Sequence, residues 1–176
     1  MDYRRQLADV AQLAHVRTCC WNPAEAAQLV TELQRRLSAR EPAPLGERWR
    51  GPHHYLLVDD YDWVATPAGN PLALLADLAL QGQDIGFHVV LARRVAGSVR
   101  ASFEPFFQRL REMGPPGLIM SGDPYEGPVL AGQKAEPMPP GRGWLVRRGH
   151  KTLQVQTLYA TVRPAVYQEG PESASG

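Results

Sequence analysis

His53-His54-Tyr55-Leu56-Leu57-Val58-Asp59-Asp60-Tyr61-Asp62 is the stretch on which the fold turns. A short apolar and aromatic run ends abruptly in two adjacent carboxylates. Such a run, closed by Asp-Tyr-Asp, reads as a buried parallel strand leaving a sheet at its carboxyl end. In open α/β sheets that end is where ligands bind.

A carboxylate at this point matches the Walker B position, where one acid holds Mg²⁺ and a neighbouring acid orients the attacking water. Its usual companion, GxxxxGK[ST], occurs nowhere in the 176 residues. The nearest approach is Gly127-Pro128-Val129-Leu130-Ala131-Gly132-Gln133-Lys134, with the Lys one place late and Ala135 where a hydroxyl residue belongs. Pro137, Pro139 and Pro140 come where a phosphate-binding helix would start, and proline cannot continue that helix. The segment therefore reads as a Gly/Pro-rich loop between strands.

Composition narrows the classes. Hydrophobic content is 44%, charged content 21% and net charge +1, an ordinary globular balance with no global electrostatic attraction to nucleic acid. No apolar run approaches the ~18 residues of a membrane span, and no signal peptide is visible. Cys19 and Cys20 are adjacent, a spacing that suits neither a disulfide nor a metal site. His53 and His54 in a strand would point to opposite faces, and His15, His88 and His150 stand apart in sequence. Hydrolase motifs of the GxSxG or HExxH type are absent.

Helix and strand signals alternate outward from the opening stretch. Asn22-Pro23-Ala24-Glu25 is a helix start, continued by Ala26, Leu29, Val30, Leu33 and Leu37 at helical spacing. Asn70-Pro71 starts a second helix, Leu72 to Leu80, apolar almost all round and stopped at Gly82. Such a helix is buried or lies against a partner. Phe87-His88-Val89-Val90-Leu91-Ala92 is another short strand and ends in Arg93-Arg94. Ser102 caps a helix that gathers Phe103, Phe106, Phe107, Leu110 and Met113 on one face. Gly117 to Met120 reads as a strand, and Gly143–Arg147 and Thr152–Leu158 as a terminal hairpin. The predicted class is α/β: a mainly parallel sheet with flanking helices and an antiparallel edge hairpin.

Four blocks carry a resemblance. They are Leu57–Asp62, Gly86–Arg94, Gly117–Gly122 and Pro139–Gly143, in this order and at similar spacing. Together they resemble the C-terminal ATPase module of the EccC-type ATPases of type VII (ESX) secretion, within the FtsK/SpoIIIE group. The opening Asp2-Tyr3-Arg4-Arg5 resembles the segment just after the second strand of that module. The resemblance implies a partial RecA-like (P-loop NTPase type) fold over 1–160; the composition of 161–176, ending Gly-Pro-Glu-Ser-Ala-Ser-Gly, reads as a polar, disordered tail. The resemblance implies ATP and Mg²⁺ as cofactors and Asp59 and Asp60 as catalytic acids with Asp59 on the metal. Arg93 and Arg94, at the same sheet edge, read as a sensor of the nucleotide phosphates, a partner of Asp59 or a solvated pair.

The resemblance also implies docking of a WXG-type secretion substrate through its C-terminal signal, contact with neighbouring ATPase modules, and placement at the cytoplasmic face of the membrane through partners. Oligomers are allowed; nucleic acid and membrane insertion are not expected. A full module carries a P-loop strand and helix ahead of the position of Asp2. The expectation is thus a module inactive as an ATPase alone, exposing apolar sheet surface where that unit belongs. Two functions are compatible with this: a docking module for substrates or other modules, or an NTPase whose P-loop is supplied by another chain.

Overall fold

The computed structural model of the chain describes residues 1–96 and 104–158. Ser102 and Phe103, the expected cap and first apolar residue of a helix, lie outside the described residues, as does the 161–176 tail.

Helix α1 spans Pro23–Ser38. Asn22 caps it by accepting from the Glu25 amide at 3.0 Å, and the Glu25 carboxylate accepts from the Trp21 amide at 2.7 Å. Ala26, Val30 and Leu37 are its buried residues, as the helical spacing predicts. Strand β1 (His54–Val58) then leads into the single-turn α2 (Tyr61–Val64).

The second expected helix is broken. Asn70 caps it through the Leu72 amide at 2.9 Å, but Pro71–Leu75 forms a 3-10 turn before α3 (Ala76–Leu80). Gly82 does not stop it: the chain continues into α4 (Gly82–Ile85), and Gly86, with φ +64°, is the true stop. In 3-10 winding residues three apart eclipse, which brings both Leu72 and Leu75 inward.

Strand β2 (Phe87–Leu91) pairs parallel with β1, His54 opposite Phe87 through Val58 opposite Leu91. Leu56, Val58 and Phe87 pack with Val30, Leu37, Leu72, Leu75, Ile85 and Phe106 into the main core. Fully burying such side chains stabilises by about 1.5–3 kcal/mol each. Helix α5 (Pro105–Glu112) closes this core with Phe106.

The α/β class holds, but among the described residues only β1 and β2 pair in parallel, and the antiparallel strands form separate sheets rather than an edge of that pair. Strand β3 (Gly117–Ile119) does not extend the parallel pair. The Gly127–Lys134 loop contains a small hairpin, β4 (Pro128–Leu130) and β5 (Gln133–Lys134), turned at Ala131 and Gly132, both with positive φ. Positive φ at both central residues suits a hairpin turn rather than a phosphate cradle. Strand β6 (Arg142–Val146) pairs antiparallel with β3 on one side and with β7 (Leu153–Gln156) on the other. Antiparallel ladders are the more stable per residue, and this one buries Ile119 and Val146 together in a second, smaller core.

Gly86 also fixes a local corner. The Trp49 ring lies against it, where an added Cβ would meet Trp49 Cδ1 at 2.2 Å. Arg40 stacks over that ring at 5.0 Å, donates to the Ile85 carbonyl, and reaches His54 Nδ1 at 2.7 Å. Gly86→Ala combines a left-handed backbone with a displaced indole, so it is expected to cost about 1–2 kcal/mol or more. Thermal melting would register this as a fall of several degrees.

Candidate functional site: a carboxylate loop and the groove it braces

Asp59 and Asp60 come directly after β1, at the carboxyl end of the parallel pair. Asp60 is left-handed (φ 46°), a conformation its short polar side chain tolerates. Its carboxylate pairs with the Arg4 guanidinium at 3.1 Å. Arg4 is held in turn by buried Asp2, whose carboxylate accepts from the Arg4 and Leu7 amides at 3.2 and 2.7 Å. Among the described residues the Asp59 carboxylate has no hydrogen-bond or ion-pair partner.

Arg93 and Arg94 do not meet Asp59. Both converge on Asp62: Arg93 Nη2 lies 3.1 Å from Oδ1, and the Arg94 amide donates to Oδ2 at 3.2 Å. Strand alternation explains this, since Arg93 leaves β2 toward the core side, where it stacks over the Phe107 ring at 4.9 Å. The Arg94 guanidinium stays exposed, 4.0 Å from Asp62. Asp62 is thus an ion-pair anchor. These residues offer Mg²⁺–ATP one unpaired carboxylate and no backbone cradle for its phosphates, so they do not by themselves fit that cofactor.

The other face of the β1–β2 pair is open. Tyr55 is 64% exposed, Leu57 52% and Val90 49%. His53 Nδ1 and His88 Nε2 meet at 2.8 Å, a pairing that sequence distance concealed. The free edge of β1 receives Met1, whose nitrogen donates to the Leu57 carbonyl at 2.8 Å and whose carbonyl accepts from the Asp59 amide at 2.9 Å. Those two bonds have the pattern of a parallel strand in register with Val58.

On the core side lies a groove of about 440 Å³ between the Pro71–Leu80 turns and α5. Ala73, Ala76 and Phe106 line it, and Asp77 and Arg109 pair across its mouth at 3.4 Å. Leu74 and Leu80 are exposed on the same helical segment. The walls begin at two caps: Asn70 caps one, and Glu104 caps α5 by accepting from the Phe106 and Phe107 amides at 3.2 and 2.8 Å.

Both caps meet the buried Tyr61 hydroxyl, which donates to Glu104 Oε2 and accepts from Asn70 Nδ2 at 2.9 Å. Asn70 Nδ2 also donates to Glu104 Oε1 at 2.8 Å. Burial alone would raise the Glu104 carboxyl. Hydrogen bonds from Tyr61, Asn70, Phe107 and Phe106 together outweigh it and hold the group below the usual carboxylate range. Burial, then Glu104, push the Tyr61 phenol up, so it stays a donor.

A depressed folded-state value stabilises the fold above the ordinary carboxyl value, and that contribution is lost as pH falls through the folded value. Acid titration should therefore weaken α5 protection below about pH 4.5, and Glu104→Gln should flatten that dependence when amide exchange of Phe106 and Phe107 is monitored.

A parallel strand pair with acids at its carboxyl end and helices on its face is the frame of the P-loop NTPase fold, and solved structures bear this out. The cytoplasmic domain of the Thermomonospora curvata type VII secretion ATPase EccC superimposes with a TM-score of 0.82 at 40% identity, over 92% of this chain and 20% of that one. So does T. curvata EccC (ATPases 2 and 3) in complex with a signal sequence peptide: TM-score 0.82, 40% identity, 91% of this chain and 30% of that one.

The sequence comparisons name the family. The chain is 41% identical over 167 residues to the ESX secretion system protein EccC of T. curvata, and 42% identical over 168 residues to the ESX-4 secretion system protein EccC4 of Mycobacterium tuberculosis. These matches cover 90% and 91% of this chain but 13% and 14% of the relatives, so the chain spans about one seventh of their length. No family model matches it. Over nine tenths of its length the chain is similar to one segment of the EccC-type ATPases of type VII secretion.

Proposed function

We propose that the chain acts as a partial, C-terminal-type ATPase module in a type VII secretion motor, and that its working surface is the groove between the Pro71–Leu80 turns and α5. The C-terminal segment of a WXG-type substrate docks there as an apolar helix or turn in a groove. The groove itself carries the reading: Ala73, Ala76 and Pro105 are its apolar ground, set among Asp77, Gln108, Arg109 and Glu112. Support also comes from the T. curvata relative, which was solved with a signal sequence peptide.

Affinity is modest, because a flexible tail is ordered on docking and its entropy opposes binding. It depends on apolar anchors far more than on salt, given the chain's near-neutral charge. Partner modules hold the chain at the cytoplasmic face of the membrane, and the open face of β1–β2 is where such a module packs. Among the described residues no helix is long and apolar enough to cross a membrane.

The test is titration of the chain with the tail peptide of a substrate encoded beside it, then with the same peptide carrying Ala at its apolar positions. Micromolar binding of the first and at least tenfold weaker binding of the second is expected. Equal signals, or none from either, would remove the reading.

One observation favours a second reading, an NTPase whose P-loop comes from another polypeptide. The Met1–Val58 register and the open face are what an added parallel strand and its crossover helix would cover. In that case Asp59, the unpaired carboxylate, is the residue that would hold Mg²⁺ once the other chain supplied the phosphate cradle, and Asp60 would have to leave Arg4 to act beside it. The chain alone is expected to show no ATP turnover above background, because its sequence carries no P-loop motif to position the phosphates. Turnover by the purified chain that Asp59→Asn abolishes would contradict this.

A further inference from the structure

Both walls of the groove are tied to one hydroxyl. Asn70 caps the Pro71–Leu75 turn, Glu104 caps α5, and Tyr61 bonds to both. Tyr61 is itself the residue after Asp60, and its amide is anchored to the Ala92 carbonyl at 2.8 Å, so it moves with the β1–β2 pair. A second strut runs alongside: Asp62 to Arg93, and Arg93 over Phe107 of α5. Each bond on its own is an ordinary buried contact. Their convergence is not ordinary, because caps set where a helix begins and therefore where its side chains stand.

We propose that Tyr61 is a positioning residue for the groove: its hydroxyl holds the first turns of both walls at one separation, so the carboxylate end of the sheet sets which apolar anchors the groove accepts. The inference rests on the docking role proposed for the groove. It makes the loop that carries Asp59 and Asp60 and the peptide groove a single mechanical unit. A change at the loop alters peptide selectivity without any residue of the loop touching the peptide.

Two variants probe it. Tyr61→Phe removes the hydroxyl and keeps the ring. Asn70→Asp keeps the Oδ1 cap of Leu72 but sets a second carboxylate against Glu104, which drives the caps apart. Spin labels at Ala73→Cys and Gln108→Cys, exposed positions on opposite walls, report the separation once the free Cys19 and Cys20 are replaced by Ser.

Both variants should broaden or lengthen the wall-to-wall distance distribution. Both should weaken the tail peptide by about tenfold, as expected for a buried hydrogen-bond partner left unpaired. They should also flatten the discrimination between Leu and Phe at its anchor position, and the double variant should add little further. A purely structural role would lower Tm and leave distances and discrimination as in the parent. That result, with unchanged distances in both variants, would overturn the proposal. If the parent chain binds no tail peptide, the docking role falls, and the distance measurement still decides the positioning role.

Discussion

A tryptophan at Ala73 is expected to abolish tail-peptide binding while the chain stays folded. Ala73 is exposed on the groove wall and contributes nothing to the core, so a larger side chain has solvent to turn into before it disturbs packing. An indole is large against a groove of about 440 Å³, and it would occupy the space that an apolar anchor needs. Losing one or two anchors, at about 1.5–3 kcal/mol each, corresponds to a loss of roughly ten- to more than a hundredfold in affinity. Peptide titration of the variant, with circular dichroism and Tm as controls, reads the effect. An unchanged affinity with an unchanged fold would mean the peptide binds elsewhere.

The second large effect is on stability. Leu72 is fully buried on the groove wall's inner side and packs with the residues that join α1, β1 and β2. Leu72→Ala removes three carbons from a tightly shared position, and such changes cost about 2–5 kcal/mol. For a chain of this size that is a fall of about 5–15 °C in Tm. The 3-10 turn around it is short and leans on tertiary packing, so exchange protection should be lost first at Leu72 and Leu75. Thermal melting and amide exchange together check this. A shift below about 1 kcal/mol would mean the turn collapses into the space at little cost.

The two strand ends were legible in sequence because an apolar run closed by acids or arginines is a local pattern. So was α1, where cap, proline and apolar spacing agree. The break at Pro71–Leu75 was not, because an apolar stretch reads the same whether it is wound as 3-10 or α; the stop moved from Gly82 to Gly86 because only the latter takes positive φ. Nor was the antiparallel placement of β3, which depends on an edge offered by the distant β6.

The groove was hidden for a similar reason. Its bracing joins Tyr61 to Asn70 and to Glu104, and no local rule links residues 43 positions apart. Asn70 was visible only as a cap, and Tyr61 only as part of the acidic turn. The Arg4–Asp60 pair had one available signal, the Asp2-Tyr3-Arg4-Arg5 opening.

The most direct measurement is a photo-cross-linking map of the bound tail peptide on the unmodified chain, with the reactive group at an apolar anchor. The docking account predicts adducts on Ala73, Ala76, Gln108 and Arg109, suppressed by excess unlabelled peptide. Adducts concentrated on Tyr55, Leu57 and Val90 of the open sheet face, with none in the groove, would contradict it.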